Sequence, residues 1–216
     1  MPRIHSTYNQ LAGKNVERIV ALGDGIYSVA MTLLVLDLHV PDAVKVVTEN
    51  DFLFATKLLL PRLLIYLMSF TTLGIFWIGT QTVLDRIERS DRHFAWLNLA
   101  FFVLLTLVPF STSLLATFIT FRSALLVYWA NLFLLGASIL SVWLYAWKFG
   151  LMKTETNHAF HRAVTIRVVS AQAYYAGAVL LSFVFNTYVS IGLIVLIQLN
   201  YAFAPKLVFR RKSDEV

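Results

Sequence analysis

Six apolar stretches divide this chain, at about residues 19–39, 58–82, 94–118, 123–147, 164–185 and 188–205. Most approach the roughly 20 residues that a helix needs to cross the hydrocarbon of a bilayer. None alternates as a transmembrane β-strand would, and each runs too long for one. A segment in lipid must satisfy its own backbone polar groups, which leaves helices. Composition agrees, with 58% hydrophobic and 14% charged residues against roughly 25% charged in an average soluble domain. The chain reads as an all-α integral membrane protein with six transmembrane helices per subunit. Its 216 residues leave room for one transmembrane domain, 1–216, and for no large soluble one.

The net charge of +6 does not point to nucleic acid, because the basic residues fall between the apolar runs and act as topology signals. The first connection, DLHVPDAVKVVTEND, is acidic. The second carries Arg86, Arg89 and Arg92, and the fourth carries Lys148, Lys153, Arg162 and Arg167. Arg3, Lys14 and Arg18 precede the first span, and Lys206, Arg210, Arg211 and Lys212 follow the last. Basic loops stay inside, so both termini are expected in the cytoplasm, and an even number of spans fits. The first residues are too polar for the apolar core of a signal peptide, so the first span is expected to remain as a membrane helix. Short connections around Arg122 and Asn186 predict two tight outer hairpins. Trp77, Trp96, Trp143 and Trp147 are expected as interfacial anchors near inner ends. Lys57, Pro61 and Arg62 predict that the second helix begins as an outer interfacial segment turning at the proline.

Catalytic and metal chemistry find little support. The chain has no cysteine, which removes disulfides, thiolate metal sites and cysteine nucleophiles. Of His5, His39, His93, His158 and His161, only the last two are closely spaced, and they fall in a basic loop read as solvated or headgroup-facing. No phosphate-cradling glycine loop, serine elbow or HExxH run occurs, so no enzyme, cofactor or metal is expected. A TVGYG segment is also missing, which excludes the common carbonyl-cage potassium filter.

The first apolar run, RIVALGDGIYSVAMTLLVLDLHVP, carries an arginine and an aspartate at its mouth. A charge at bilayer depth costs a few kcal/mol even on lenient scales, so Asp24 is expected to face protein or water. At 100° per residue, with Val29 at zero, Leu33 falls at about +40°, Leu36 at about −20° and Asp24 at about −140°. One face is thus an aliphatic ladder flanked by Gly25, Ala30 and Thr32, and the opposite face presents a carboxylate to the bundle. Such a ladder suits a packed core or a pore lining. Asp24 suits either a structural bond holding the inner end of the helix or a proton or cation site. Arg18 lies six residues earlier, so it is no i,i+4 partner of Asp24. Gly23 and Gly25 are expected either to let a second backbone approach or to loosen the helix locally.

The run Arg18-x-x-x-Leu22-Gly23-Asp24-Gly25, followed by Ile26-Tyr27-Ser28-Val29-Ala30-Met31-Thr32-Leu33-Leu34-Val35-Leu36-Asp37 and then Val40-Pro41, resembles the first helix of bacterial members of the transmembrane protein 175 family of endosomal and lysosomal potassium channels. The family pattern is RxxxFSDG with a TLLVLD tail. Here Leu22 stands for the phenylalanine and Gly23 for the serine. Phe76-Trp77, Trp96-Leu97-Asn98 and Leu107-Val108-Pro109-Phe110-Ser111-Thr112 extend the resemblance, whereas Gly79-Thr80-Gln81 replaces an asparagine-histidine pair common in bacterial relatives.

The resemblance implies a six-helix subunit without a re-entrant pore loop, four of which assemble around a central pore lined by the first helix. The hydrophobic constriction then maps onto Val29, Leu33 and Leu36, with Thr32 as a flanking polar ring. Arg18, Leu22, Gly23, Asp24 and Gly25 form the first-helix motif, with a structural or gating role. An aliphatic ring blocks ions by dewetting when narrow and passes them when dilated. The expected function is passive, modestly selective conduction of potassium and other monovalent cations by a homotetramer in a bacterial cytoplasmic membrane. Acidic Asp37, Asp42, Glu49 and Asp51 would concentrate cations at the outer mouth. The alternative is a proton- or cation-coupled secondary transporter using Asp24, or a membrane scaffold that passes nothing.

Overall fold

The computed structural model describes residues 16–39 and 46–203, and every described element is helical. The chain runs α1 (Val16–Leu33), a 3-10 turn (Leu34–Asp37), α2 (Glu49–Leu84), α3 (Arg92–Thr106), α4 (Val108–Thr117), α5 (Arg122–Lys148), α6 (His158–Leu180), a second 3-10 turn (Leu181–Phe183) and α7 (Thr187–Phe203). Five segments are long and apolar enough to cross a membrane, counting α3 with α4 as one. Helix α7 is apolar but shorter. Arg3, His5, Lys14, Val40, Pro41, Asp42, Lys206, Arg210, Arg211 and Lys212 lie outside the described residues.

Local signals in the sequence set these ends. The Thr48 side chain and Asp51 form a reciprocal capping box that starts α2. Asp91 accepts from Phe94 N–H at 2.7 Å to start α3, and Asn157 accepts from Phe160 N–H at 2.8 Å to start α6. The third apolar run breaks at Leu107, just before Pro109 in the first turn of α4, where a missing N–H costs nothing.

One expectation is corrected in α2. The helix does not turn at Pro61 but runs unbroken from Glu49, nine residues ahead of the expected start at 58. Proline removes one bond and crowds the carbonyl four residues back. The flanking Leu58, Leu59, Leu60, Leu63 and Leu64 are strong helix formers that carry the helix past that loss.

The core centres on α5, whose Leu125, Tyr128, Leu135 and Trp143 are fully buried. Helices α3, α4 and α6 pack around it, while α2 packs against α1, α4 and α7. A polar seam crosses this core: Thr112 donates to Ser69 Oγ at 2.9 Å, Ser69 donates to Tyr128 OH at 3.3 Å, and Gln198 Nε2 donates to Thr72 Oγ1 at 2.6 Å. In lipid such interhelical bonds replace the hydrophobic drive that water would supply.

At the end of the bundle that carries Arg86, Arg89, Lys148 and Lys153, the α2–α3 and α5–α6 connections clasp each other. Glu88 N–H donates to Leu151 O at 2.9 Å and Lys153 N–H to Arg86 O at 2.9 Å, beside the turn made by Gly150 at φ 63°. His161 is stacked with Trp143 and Trp147, their ring centroids 5.6 and 4.1 Å away, and is not a solvated loop residue. Trp143 is therefore a core residue and no interfacial anchor, because the histidine and Phe160 close over it.

Candidate pore-lining helix

Helix α1 has two sharply different sides. Gly23, Tyr27, Ala30 and Leu34, at i, i+4, i+7 and i+11, are buried against the bundle. Tyr27 meets the ring of Phe101 with centroids 6.4 Å apart. Gly23 lies under Phe102, where an added Cβ would fall 3.0 Å from that ring, so the absent side chain is what lets α1 approach α3. Gly25 faces open space. Ala30 belongs to the buried stripe, so of the small residues expected beside the ladder only Gly25 and Thr32 are exposed.

The other side carries the aliphatic ladder. Leu22, Val29, Leu33 and Leu36 are 48, 57, 43 and 66% exposed within the subunit, so the ladder is not packed into the core of its own chain. From Val29 to Leu36 it spans roughly 11 Å. Thr32 is exposed beside it, its hydroxyl turned back onto Ser28 O at 3.0 Å and Val29 O at 2.9 Å. Arg18 is exposed one turn before Leu22, near the same angular position as the ladder.

Three bonds hold α1 in this orientation. Asp24 Oδ1 accepts from Trp77 Nε1 at 2.8 Å and from Gln81 Nε2 at 2.6 Å, both on α2 and one helical turn apart. One turn along α1, Tyr27 OH meets Thr80 Oγ1 at 2.9 Å. Thr80 donates its own proton to Phe76 O at 2.8 Å, so the tyrosine is the donor in that pair. The charged acceptor makes the first tie the stronger of the two.

Sequence reasoning left the partner of Asp24 unassigned, and α2 supplies it. Trp77, expected as an interfacial anchor, instead aims its indole N–H at the carboxylate. Gln81, in the Gly79-Thr80-Gln81 segment, supplies the second donor through its side-chain amide. Among the described residues no group of three or more His, Asp or Glu side chains is arranged to hold a metal ion.

The family model described as "Endosomal/lysosomal potassium channel TMEM175" matches residues 18–109, which include all but the first two residues of α1, all of α2 and α3, and the Asp24 ties. A potassium channel of Chamaesiphon minutus is 30% identical over 190 residues, covering 86% of this chain and 92% of that protein. The endosomal/lysosomal proton channel TMEM175 of Danio rerio is 27% identical over 198 residues, which cover 89% of this chain but only 36% of the fish protein. The crystal structure of a lysosomal potassium-selective channel TMEM175 homolog from Chamaesiphon minutus matches with a TM-score of 0.76 and 27% identity, over 87% of this chain and 96% of that one. On this agreement of sequence and architecture, the chain belongs to the TMEM175 family, whose members are membrane ion channels and not enzymes.

Proposed function

We propose that this protein is a passive, potassium-permeable cation channel of modest selectivity, built as a homotetramer of single-domain subunits, residues 1–216, around four copies of α1. The bacterial relatives named potassium channels support the ion. The observation that carries the mechanism is the exposed ladder of Val29, Leu33 and Leu36 on a helix whose opposite side is buried and bonded to α2. A 58%-hydrophobic chain has lipid as one sink for such a face. A second is a ring with its own copies, and the ties at Asp24 and Tyr27 fix which face is offered. Four such faces give a dry constriction roughly 11 Å long that opens by dilation and admits hydrated or partly hydrated cations. With no carbonyl-cage sequence in the chain and no re-entrant loop among the described residues, discrimination between potassium and sodium stays modest. The basic connections support an orientation with both termini in the cytoplasm and Asp37 and Glu49 toward the outer mouth, and the bacterial relatives support a bacterial cytoplasmic membrane.

Purified protein in liposomes under a potassium gradient tests this. Val29→Asn hydrates the ring, so flux is expected to rise several-fold above wild type while Asp24→Asn still conducts passively. Unchanged flux in Val29→Asn removes Val29 from the pore. The coupled-carrier reading requires that Asp24→Asn abolish uphill transport. Two donors from α2 already occupy an oxygen of that carboxylate, which favours a structural role. The animal relatives are named proton channels, so a pH-sensitive dye in the same liposomes reports whether protons also pass.

A further inference from the structure

Behind the face of α2 that holds Asp24, a cavity of about 160 Å³ opens between α2, α5, α6 and α7. Its walls are apolar over most of their extent, with Ile75, Phe76, Ile78, Leu132, Ile139 and Val168 among them. From Thr72 to Val83 it follows α2 for about 16 Å, from mid-membrane toward the basic end of the bundle. Small residues keep it open: an added Cβ at Gly79 would meet nothing within 4 Å. A largely apolar cavity between transmembrane helices offers room for hydrocarbon.

Thr72, Gln172 and Tyr175 line the mid-membrane end, and the one charged lining residue lies nearer the basic loops, with Tyr201 and Thr82. Arg167 lines the cavity about 14 Å along α6 from His158, inside a segment apolar enough to span the membrane. Its guanidinium stands 5.7 Å from the ring centroid of Tyr201, itself a lining residue fixed by a 3.2 Å bond to Ser170 Oγ. Among the described residues no carboxylate forms an ion pair with Arg167. A cation at this depth calls for an anion, and a basic pocket between transmembrane helices is suited to an anionic headgroup. Hydrocarbon walls leading to one unpaired arginine match a molecule with the same division.

We propose that this cavity binds an anionic phospholipid of the leaflet at the basic end, one acyl chain lying along Ile75, Ile78 and Gly79 and the phosphate resting on Arg167. The inference is independent of conduction. It reaches beyond the pore to the lipid that the subunit selects.

Native mass spectrometry of the purified oligomer, exchanged into mixed micelles with equal phosphatidylglycerol and phosphatidylcholine, tests it. Wild type is expected to retain phosphatidylglycerol preferentially. Arg167→Gln should lower that retention about fivefold, the worth of one basic contact at a lipid surface. Gly79→Leu should lower it comparably by filling the chain site while leaving the charge in place. Arg162→Gln, on the same helix but not lining the cavity, should leave it unchanged. The proposal is overturned if wild type shows no preference, if Arg162→Gln lowers retention as much as Arg167→Gln, or if neither cavity variant lowers it. Should Arg167→Gln fail to assemble, Gly79→Leu alone decides. Because the readout is binding, its failure leaves the channel reading intact.

Discussion

The carboxylate of Asp24 is the group on which the orientation of α1 turns, and its donor Gln81 predicts unequal losses for two small changes at one position. Gln81→Leu removes one hydrogen bond, worth about 1 kcal/mol. Gln81→Glu places a second carboxylate where the amide now sits 2.6 Å from Asp24 Oδ1, so repulsion is added to the lost bond. Thermal unfolding followed by fluorescence-detected size exclusion should show a larger loss for Gln81→Glu than for Gln81→Leu at neutral pH. Equal losses would mean that Gln81 does not touch Asp24 in the membrane. Much of α1 was legible in the sequence: the ladder and the carboxylate on opposed faces followed from helical angles alone. The partners were not, because they lie 53 and 57 residues away and their register depends on how Tyr27 meets Thr80. The one available signal was the polar Gln81 four residues after Trp77, one helical turn along the same face.

At the scale of elements, α2 is the outlier. Its 36 residues make a rod of about 54 Å against roughly 30 Å of hydrocarbon, so some 24 Å must be taken up by tilt or by protrusion at the acidic end. Phe52, Phe54 and Leu58 are exposed there, and the first turns rest on little besides their own cap. Thr48→Ala removes the hydroxyl that accepts Asp51 N–H at 3.2 Å and should speed hydrogen exchange of the amides just after it about fivefold, leaving the melting temperature unchanged. A drop in melting temperature would show that this end packs against a neighbouring subunit. Most helices were readable as apolar runs of the right length, although the α3–α4 break at Leu107 falls inside one of those runs. Pro61 misled, because a proline's local cost says nothing about the leucine-rich turns that outweigh it. Trp143 misled for a similar reason: its place near a helix end suggested an interface, while the His161 and Phe160 that bury it come from a different element.

For the molecule as a whole, the cysteine-free sequence offers a direct test of assembly. Val29→Cys adds one thiol on the exposed ladder, and Ala30→Cys adds one on the adjacent residue, which is 2% exposed and faces the bundle. If four α1 helices surround one axis, mild oxidation in the membrane should link Val29→Cys subunits into covalent dimers and leave Ala30→Cys monomeric on a denaturing gel. Cross-linking of both or of neither would place α1 away from the axis. The pair of ties between α1 and α2 also has a mechanical consequence. A roll of α1 large enough to carry Val29 out of the proposed ring must break all three Asp24 and Tyr27 bonds together, a cost of about 4 kcal/mol per subunit or more before any packing is lost. Swinging α1 and α2 as one lever breaks none of them, and the long arm of that lever is the overhanging start of α2, which makes that arm the place to push on the ring from outside the membrane.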